Sequence, residues 1–324
     1  MVDNKTGKYL IYALSEILLV VVGILIALQI EGWKEEKENN EKTKVILGQI
    51  LTELEHNVLS GVNNIIGFNK KDSLMKQVLD RKLAYQDYAE SDELRSLITS
   101  YYWLELYNSA YQKLMAHQEK LDPTYIVLTE QIVNLYSTTM YRVQEEYAQI
   151  GDNVDRAVKH MSMNCPWYSN TLPQHMDQQI EYMLSDPIYF NMVKSMKGIG
   201  GENFLKNMID FNHEAIDVYK AIHKKLGLNT PYPEVVDRIK DYPESVLNEY
   251  EGIYTFGNKS HELQVKFGKL GNHTEQNWIY FTEPDRAEYL YEIDLIEFIR
   301  NEDSLITGFE YTYRGEKQYW SKVD

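Results

Sequence analysis

Hydrophobic positions along the chain fall into three regimes. Ile17 to Leu28 is unbroken apolar sequence, and extension to Tyr9 and Ile30 gives 22 residues. At about 1.5 Å per residue such a helix covers a hydrocarbon core of about 30 Å. From Leu47 the pattern changes to an amphipathic stripe of Leu47, Leu51, Leu54, Val58, Val62 and Ile65. The charged interval "KEEKENNEKTK" holds no Gly or Pro, so one helix is predicted from the span to about residue 68. Beyond residue 246 the period becomes two: Leu263, Val265 and Phe267 alternate with polar residues, as do Phe309, Tyr311 and Tyr313, and "WIYF" and "EYLYEI" are strand-like.

Punctuation divides the middle. Ser91 is placed to cap "DELRSLI", and Asp122-Pro123 and Asp186-Pro187 each offer a cap followed by proline at the first helical position. "GIGG" at 198–201 is expected to break one helix before the next, whose stripe runs Leu205, Met208, Asn212, Ala215, Tyr219, Ile222 and Leu226 until Gly227. "NTPYPEVVDRIKDYPES" holds three of the eight prolines and reads as a linker. Gly257-Asn258, Gly271-Asn272 and Arg314-Gly315 mark turns among six or seven strands. The predicted fold class is α+β: a tail (1–8), a transmembrane helix (9–33) continuing into an antiparallel helical bundle (34–228), a linker (229–245), and a small antiparallel β meander or half-barrel (246–324).

A cleaved signal peptide would need a basic start, a shorter apolar core and a small-x-small site. "ALQIEGWKEEKENN" offers no such site, so the span is expected to stay as an anchor flanked by interfacial Tyr9, Tyr12 and Trp33. Glu16 falls roughly 7–8 Å from the midplane, and glutamate is too short to snorkel with ease. Ala13, Glu16, Val20, Gly23, Ala27 and Ile30 follow alternating spacings of three and four, which makes one seam. Gly23-x-x-x-Ala27 on that seam is a small-x-x-x-small contact. Self-association, or docking on another membrane protein, through Ala13, Glu16, Val20, Gly23 and Ala27 is therefore expected.

The segment "KYLIYALSEILLVVVGILIALQIEGW" closely resembles the N-terminal signature of a family of uncharacterised bacterial single-pass membrane proteins. Its pattern is K-Y-L-x-Y-A-x-x-E-I-x-L-V-x-x-G-I-L-I-A-L-Q followed by a Trp. Lys8, Tyr9, Glu16, Gly23, Ala27, Gln29 and Trp33 match it, and "YNSAYQKLMAH" is similar to an internal motif of that family. The resemblance implies architecture and carries no activity. The C-terminal region, through "YEGIY" and "LITGFEYTYRGEKQYWSKV", resembles the small β domain appended to bacterial β-lactamase-like hydrolases and other exported proteins. That likeness implies a packing or binding module, with Tyr254, Trp278, Tyr289 and Tyr311 as candidates to line a cup. A filled core is the default for small barrels.

Charge and candidate chemistry narrow the function. Lys+Arg 33 against Asp+Glu 49, net −16, argues against nucleic acid, which selects a basic face. One cysteine excludes an internal disulfide framework. Ser73-x-x-Lys76 and Tyr168-x-Asn170 match serine β-lactamase motifs, but they lie in predicted helix without the required sheet. His213-Glu214 lacks the second histidine of a zincin, position 217 being Asp, and is expected on a solvated helix face. His160 with Cys165 is too sparse for a metal site. Catalytic, cofactor and metal residues are thus none. Lysines near the span lean slightly toward a cytoplasmic C-terminal part, yet long domains translocate largely regardless of charge. The β module's likeness to exported proteins favours a bacterial inner-membrane protein with a periplasmic body. The expected function is non-enzymatic recognition or scaffolding at the membrane, as the sensor part of a larger assembly. The alternative is a small-molecule or glycan-binding module held there.

Overall fold

The computed structural model describes residues 5–168, 173–266, 268–272, 277–289, 292–313 and 316–323. Asn170, Phe267 and the Arg314-Gly315 turn lie outside these. So do the side chains of Tyr9, Tyr12, Ala13, Tyr289 and Tyr313.

Helix α1 (Lys5–Leu79) runs unbroken for 75 residues. It passes the predicted end at residue 68 because Phe68, Met75 and Val78 keep the buried period going. It stops where Arg81 turns left-handed, at φ 57°, and Lys82 N–H donates back to Gln77 O at 3.1 Å. Leu47, Leu51, Leu54 and Val58 are buried as the stripe predicts, while Val62 and Ile65 pack at its edge. Each full burial is worth about 1.5–3 kcal/mol.

Short helices α2 (Tyr85–Glu90) and α3 (Asp92–Arg95) follow, and Ser91 accepts from Leu94 N–H as expected of the cap. Residues 101–108 are not helical, which departs from the expectation of near-continuous helix. They form an extended strap along α1, and helix side chains satisfy its backbone. Asn57 donates to Tyr107 O (2.8 Å) and accepts from Tyr107 N–H (2.7 Å). Asn64 donates to Trp103 O, Ser60 accepts from Glu105 N–H, and Tyr147 accepts from Leu104 N–H.

The body is completed by α4 (Ser109–Ala116), α5 (Ile126–Asn134), α6 (Met140–Asn164), α7 (Pro173–Ser185), α8 (Pro187–Met196) and α9 (Leu205–Lys225). Asp122 and Asp186 cap their proline-started turns, and Gly227 closes α9 at φ +65°. "GIGG" does not break the chain: a π-helical segment, Lys197–Phe204, joins α8 to α9. Its glycines serve close approach instead. A Cβ on Gly201 would stand 2.0 Å from Asp72 Oδ1, and one on Gly200 would stand 3.1 Å from the Phe68 ring. Asn212 meets Gly61 and Gly201 meets Asp72, so α9 runs antiparallel to α1.

Residues 229–245 are tied down. Within them α10 (Glu234–Asp237) places Val236 and then Ile239 in the helical core, and α11 (Glu244–Leu247) follows. The strands are β1 (Gly252–Phe256), β2 (Lys259–Lys266), β3 (Lys269–Asn272), β4 (Asn277–Glu283), β5 (Arg286–Tyr289), β6 (Glu292–Arg300), β7 (Ile306–Tyr313) and β8 (Glu316–Val323). They form a closed antiparallel barrel in chain order, which corrects the expected meander or half-barrel. Closure comes from β1 against β8, with Ile253 opposite Val323 and Thr255 opposite Ser321. Gly271-Asn272, expected as a turn, is paired in β3 with Trp278 and Asn277.

Candidate functional site

Three features could carry function: the apolar N-terminal stretch of α1, the barrel interior, and the place where barrel meets bundle. The apolar stretch is the most exposed. Among the described residues one helix is long and apolar enough to cross a membrane, and its apolar window is wholly uncovered by the rest of the chain. Glu16, Val20, Gly23 and Ala27 are exposed on it, and nothing lies within 4 Å of where a Gly23 Cβ would be. Ala13 shares the helix, with its side chain outside the described set. The same helix then becomes the spine of the body, so the apolar stretch and the core share one unbroken helix.

Among the described residues, the barrel's inward side chains pack on one another. Tyr254, Leu263, Ile279, Phe281, Phe298 and Phe309 are buried there. Tyr254 donates to Tyr250 O at 2.8 Å, and Tyr311 packs at the edge of the cluster. Trp278 faces the other way, against the helical core. Of the three candidate cup residues whose side chains are described, Tyr254 and Tyr311 belong to the barrel cluster and Trp278 does not.

The junction was not legible as a site in the sequence. His213, expected on a solvated face, is 1% exposed. Its ring stacks on Tyr280 of β4 with centroids 4.0 Å apart and planes at 8°. Nε2 lies 3.5 Å from Glu288 Oε2 on β5, an ion-pair separation without hydrogen-bond geometry, and both ring nitrogens are buried without a hydrogen-bond partner. Glu288 is also ion-paired to Arg238, which follows α10. One turn along α9, Asp217 pairs with Lys269 of β3, whose ammonium lies 3.2 Å from the Tyr280 hydroxyl. Lys220 donates to Ile239 O at 2.7 Å, and Lys240 N–H donates to Phe281 O at 2.7 Å. A small cavity of about 90 Å³ lies beside this latch, lined by Asp217, Lys240, Tyr242, Lys269 and Tyr280 among others.

Burial lowers the His213 pKa, against the pull of Glu288, so the imidazole is favoured neutral. Burial alone would raise Glu288, but the nearness of His213 and the charge of Arg238 outweigh that and hold it below the usual carboxylate value. The arrangement can hold barrel to bundle.

A second buried acid lies elsewhere on α9. Asp210 is 7% exposed with Oδ1 unpartnered, and burial pushes its carboxyl up to about 7. Glu214 beside it accepts from Thr139 Oγ1 at 2.7 Å, and Asn207 donates to Glu146 at 2.6 Å.

The remaining motif residues stay apart. Ser73 is exposed on α1, Lys76 is half-buried one turn on, and Tyr168 packs against the helical core. No hydrogen bond joins them among the described residues. Cys165 is buried, and His160 Nδ1 faces Asn164 at 3.4 Å. Among the described residues no group of three His, Cys, Asp or Glu side chains is arranged to hold a metal.

A family model matches residues 16–195, more than half of the chain, from Glu16 in α1 to Ser195 in α8. The chain belongs to DUF6090, a family of unknown function. The DUF6090 match takes in most of α1, the strap and the helices through α8. It ends before α9 and the barrel. No curated protein matches the chain.

Proposed function

We propose that this DUF6090 protein is a single-pass bacterial inner-membrane protein. Its body lies on the periplasmic side and performs non-enzymatic recognition or scaffolding, as the sensor part of a larger assembly. The observation that carries this reading is α1 itself: an apolar, uncovered span continuous with the spine of a packed body. A barrel whose described inward side chains pack on one another favours a packing module, as in the appended β domains it resembles, over a small-molecule or glycan cup. The seam of Ala13, Glu16, Val20, Gly23 and Ala27 is the contact with a second copy or another membrane protein. A carboxylate hidden from lipid in that way is less costly than one facing it.

Orientation and neighbours are measured together. A photocrosslinker at Val20 is combined with protease treatment of spheroplasts, followed by detection of the C-terminal barrel. Digestion of the barrel from outside, with a crosslinked product of defined mass, is the expected result. Protection of the barrel until the membrane is lysed overturns the periplasmic assignment. A chain released by alkaline carbonate wash overturns the anchor.

A further inference from the structure

Outside the membrane, α1 has a face that nothing in the fold covers. From Thr43 to Val78 its buried residues follow one side, against α9, α4 and the strap. The other side presents Val45 (61% exposed), Thr52, Leu59 (47%) and Ile66 (65%) at strict seven-residue intervals, with open space over Gly48. Residues repeating every seven positions form one of the two lines by which paired helices stay in contact over many turns, and the companion line here is Gly48, Glu55 and Val62.

This face is in register with the seam in the span. On a straight helix of about 3.6 residues per turn, positions 36 apart are about ten turns apart and share an azimuth. Gly23 then lies in line with Leu59, Ala27 with Asn63, Ile30 with Ile66, and Glu16 with Thr52. The helix is unbroken between them, so the alignment follows from the chain itself.

We infer that the occupant of this face is a second copy of the chain, and that two α1 helices pair in parallel from the membrane out to about Ile66. The inference rests on the proposed anchor and deepens its homo-oligomeric arm. The occupant must cross the same bilayer and continue as a helix in phase for about fifty residues, which α1 does. Insertion in one membrane sets both copies parallel, so like residues meet. The charged interval between the two apolar stretches does not oppose this. On that side it carries Lys34, Lys37 and Lys44 with Glu38 and Glu41, and Lys34–Glu38 (3.9 Å) and Lys44–Glu41 (2.9 Å) already pair within one helix. Facing copies can exchange these partners at little cost. Gly23 and Gly48, each with nothing within 4 Å of the Cβ position, are the points of closest approach.

The test is disulfide mapping of the full chain in native membranes, with Cys165→Ala as background. Single cysteines are placed at Gly23, Val45, Leu59 and Ile66, and at Met163, which is exposed on α6 away from this face. Oxidation is expected to give covalent dimers at all four α1 positions and none at Met163. Dimers at Gly23 alone overturn the extramembrane pairing while leaving the span's self-association intact. Dimers at Leu59 and Met163 to equal extent mean random collision and overturn it too. No dimers at any position removes both this pairing and the homo-oligomeric reading. As a second measure, Leu59→Lys with Ile66→Lys is expected to lower the Val45 crosslink at least tenfold with an unchanged thermal midpoint. An unchanged crosslink yield overturns the interface.

Discussion

Gly61 of α1 lies against Asn212 of α9 so closely that a Cβ at Gly61 would stand 2.0 Å from the amide oxygen. Asn212 is 1% exposed and donates to Val58 O at 3.3 Å, so it cannot swing aside without losing that bond. Gly61→Ala is expected to destabilise the body by about 1–3 kcal/mol, the usual cost of overpacking. Denaturant titration of the detergent-solubilised protein measures this. Adding Asn212→Ala should recover part of the loss; a strictly additive double variant would refute the steric account.

Asn57 binds the strap through both halves of its amide. Asn57→Ala leaves a backbone N–H and carbonyl of Tyr107 without that partner, at about 1–3 kcal/mol each when buried and less where water reaches them. Hydrogen exchange at the Tyr107 amide is expected to rise by at least tenfold, ahead of exchange in α9.

Asp210 links stability to pH in an unusual direction. Its folded pKa is raised from 3.8 to about 7, so its contribution is full below pH 4 and is lost as pH rises through 7. The shift corresponds to on the order of 4 kcal/mol, an upper figure before relaxation. Asp210→Asn is expected to raise the thermal midpoint at pH 8 and to change it little at pH 4. Equal effects at both pH values would remove the buried carboxylate as the cause.

The barrel latch responds in the opposite sense. His213 and Glu288 both have folded pKa values below their ordinary ones. The stability they lend is present above about pH 6.5 and is lost on acidification, His213 first and Glu288 below pH 4.5. Limited proteolysis between residues 226 and 250 should accelerate as pH falls from 7 to 5. His213→Gln should flatten that dependence while raising cleavage at pH 7.

Much of this architecture could be read in the sequence where a single period ran long. The apolar run and the Leu47–Val58 stripe located α1, and Ser91, Asp186 and Gly227 located helix ends. Legibility failed where a residue's role depends on a partner far along the chain. Gly200 and Gly201 read as breakers because nothing nearby shows that Phe68 and Asp72 press against them. Barrel closure depends on β1 meeting β8, some seventy residues away, and β3 hides as a turn because its pairing atoms are backbone. His213 looked solvated since Tyr280 and Glu288, which bury it, come from the β region. One signal was available: Asn57, Ser60 and Asn64 recur at helical spacing on a side of α1 that the apolar stripe would bury, which marks a polar guest lying along the helix.

In the membrane-anchored arrangement proposed above, the unbroken length of α1 also makes the molecule a lever. From Trp33 to Leu79 the helix extends about 69 Å. A change of about 10° in the inclination of the span, well inside the range that bilayer thickness imposes, would sweep its far end by about 12 Å. With no glycine hinge or proline between Trp33 and the first buried turn at Thr43, little of that swing is absorbed on the way. Membrane thickness and lateral pressure would then set where the barrel is held above the surface.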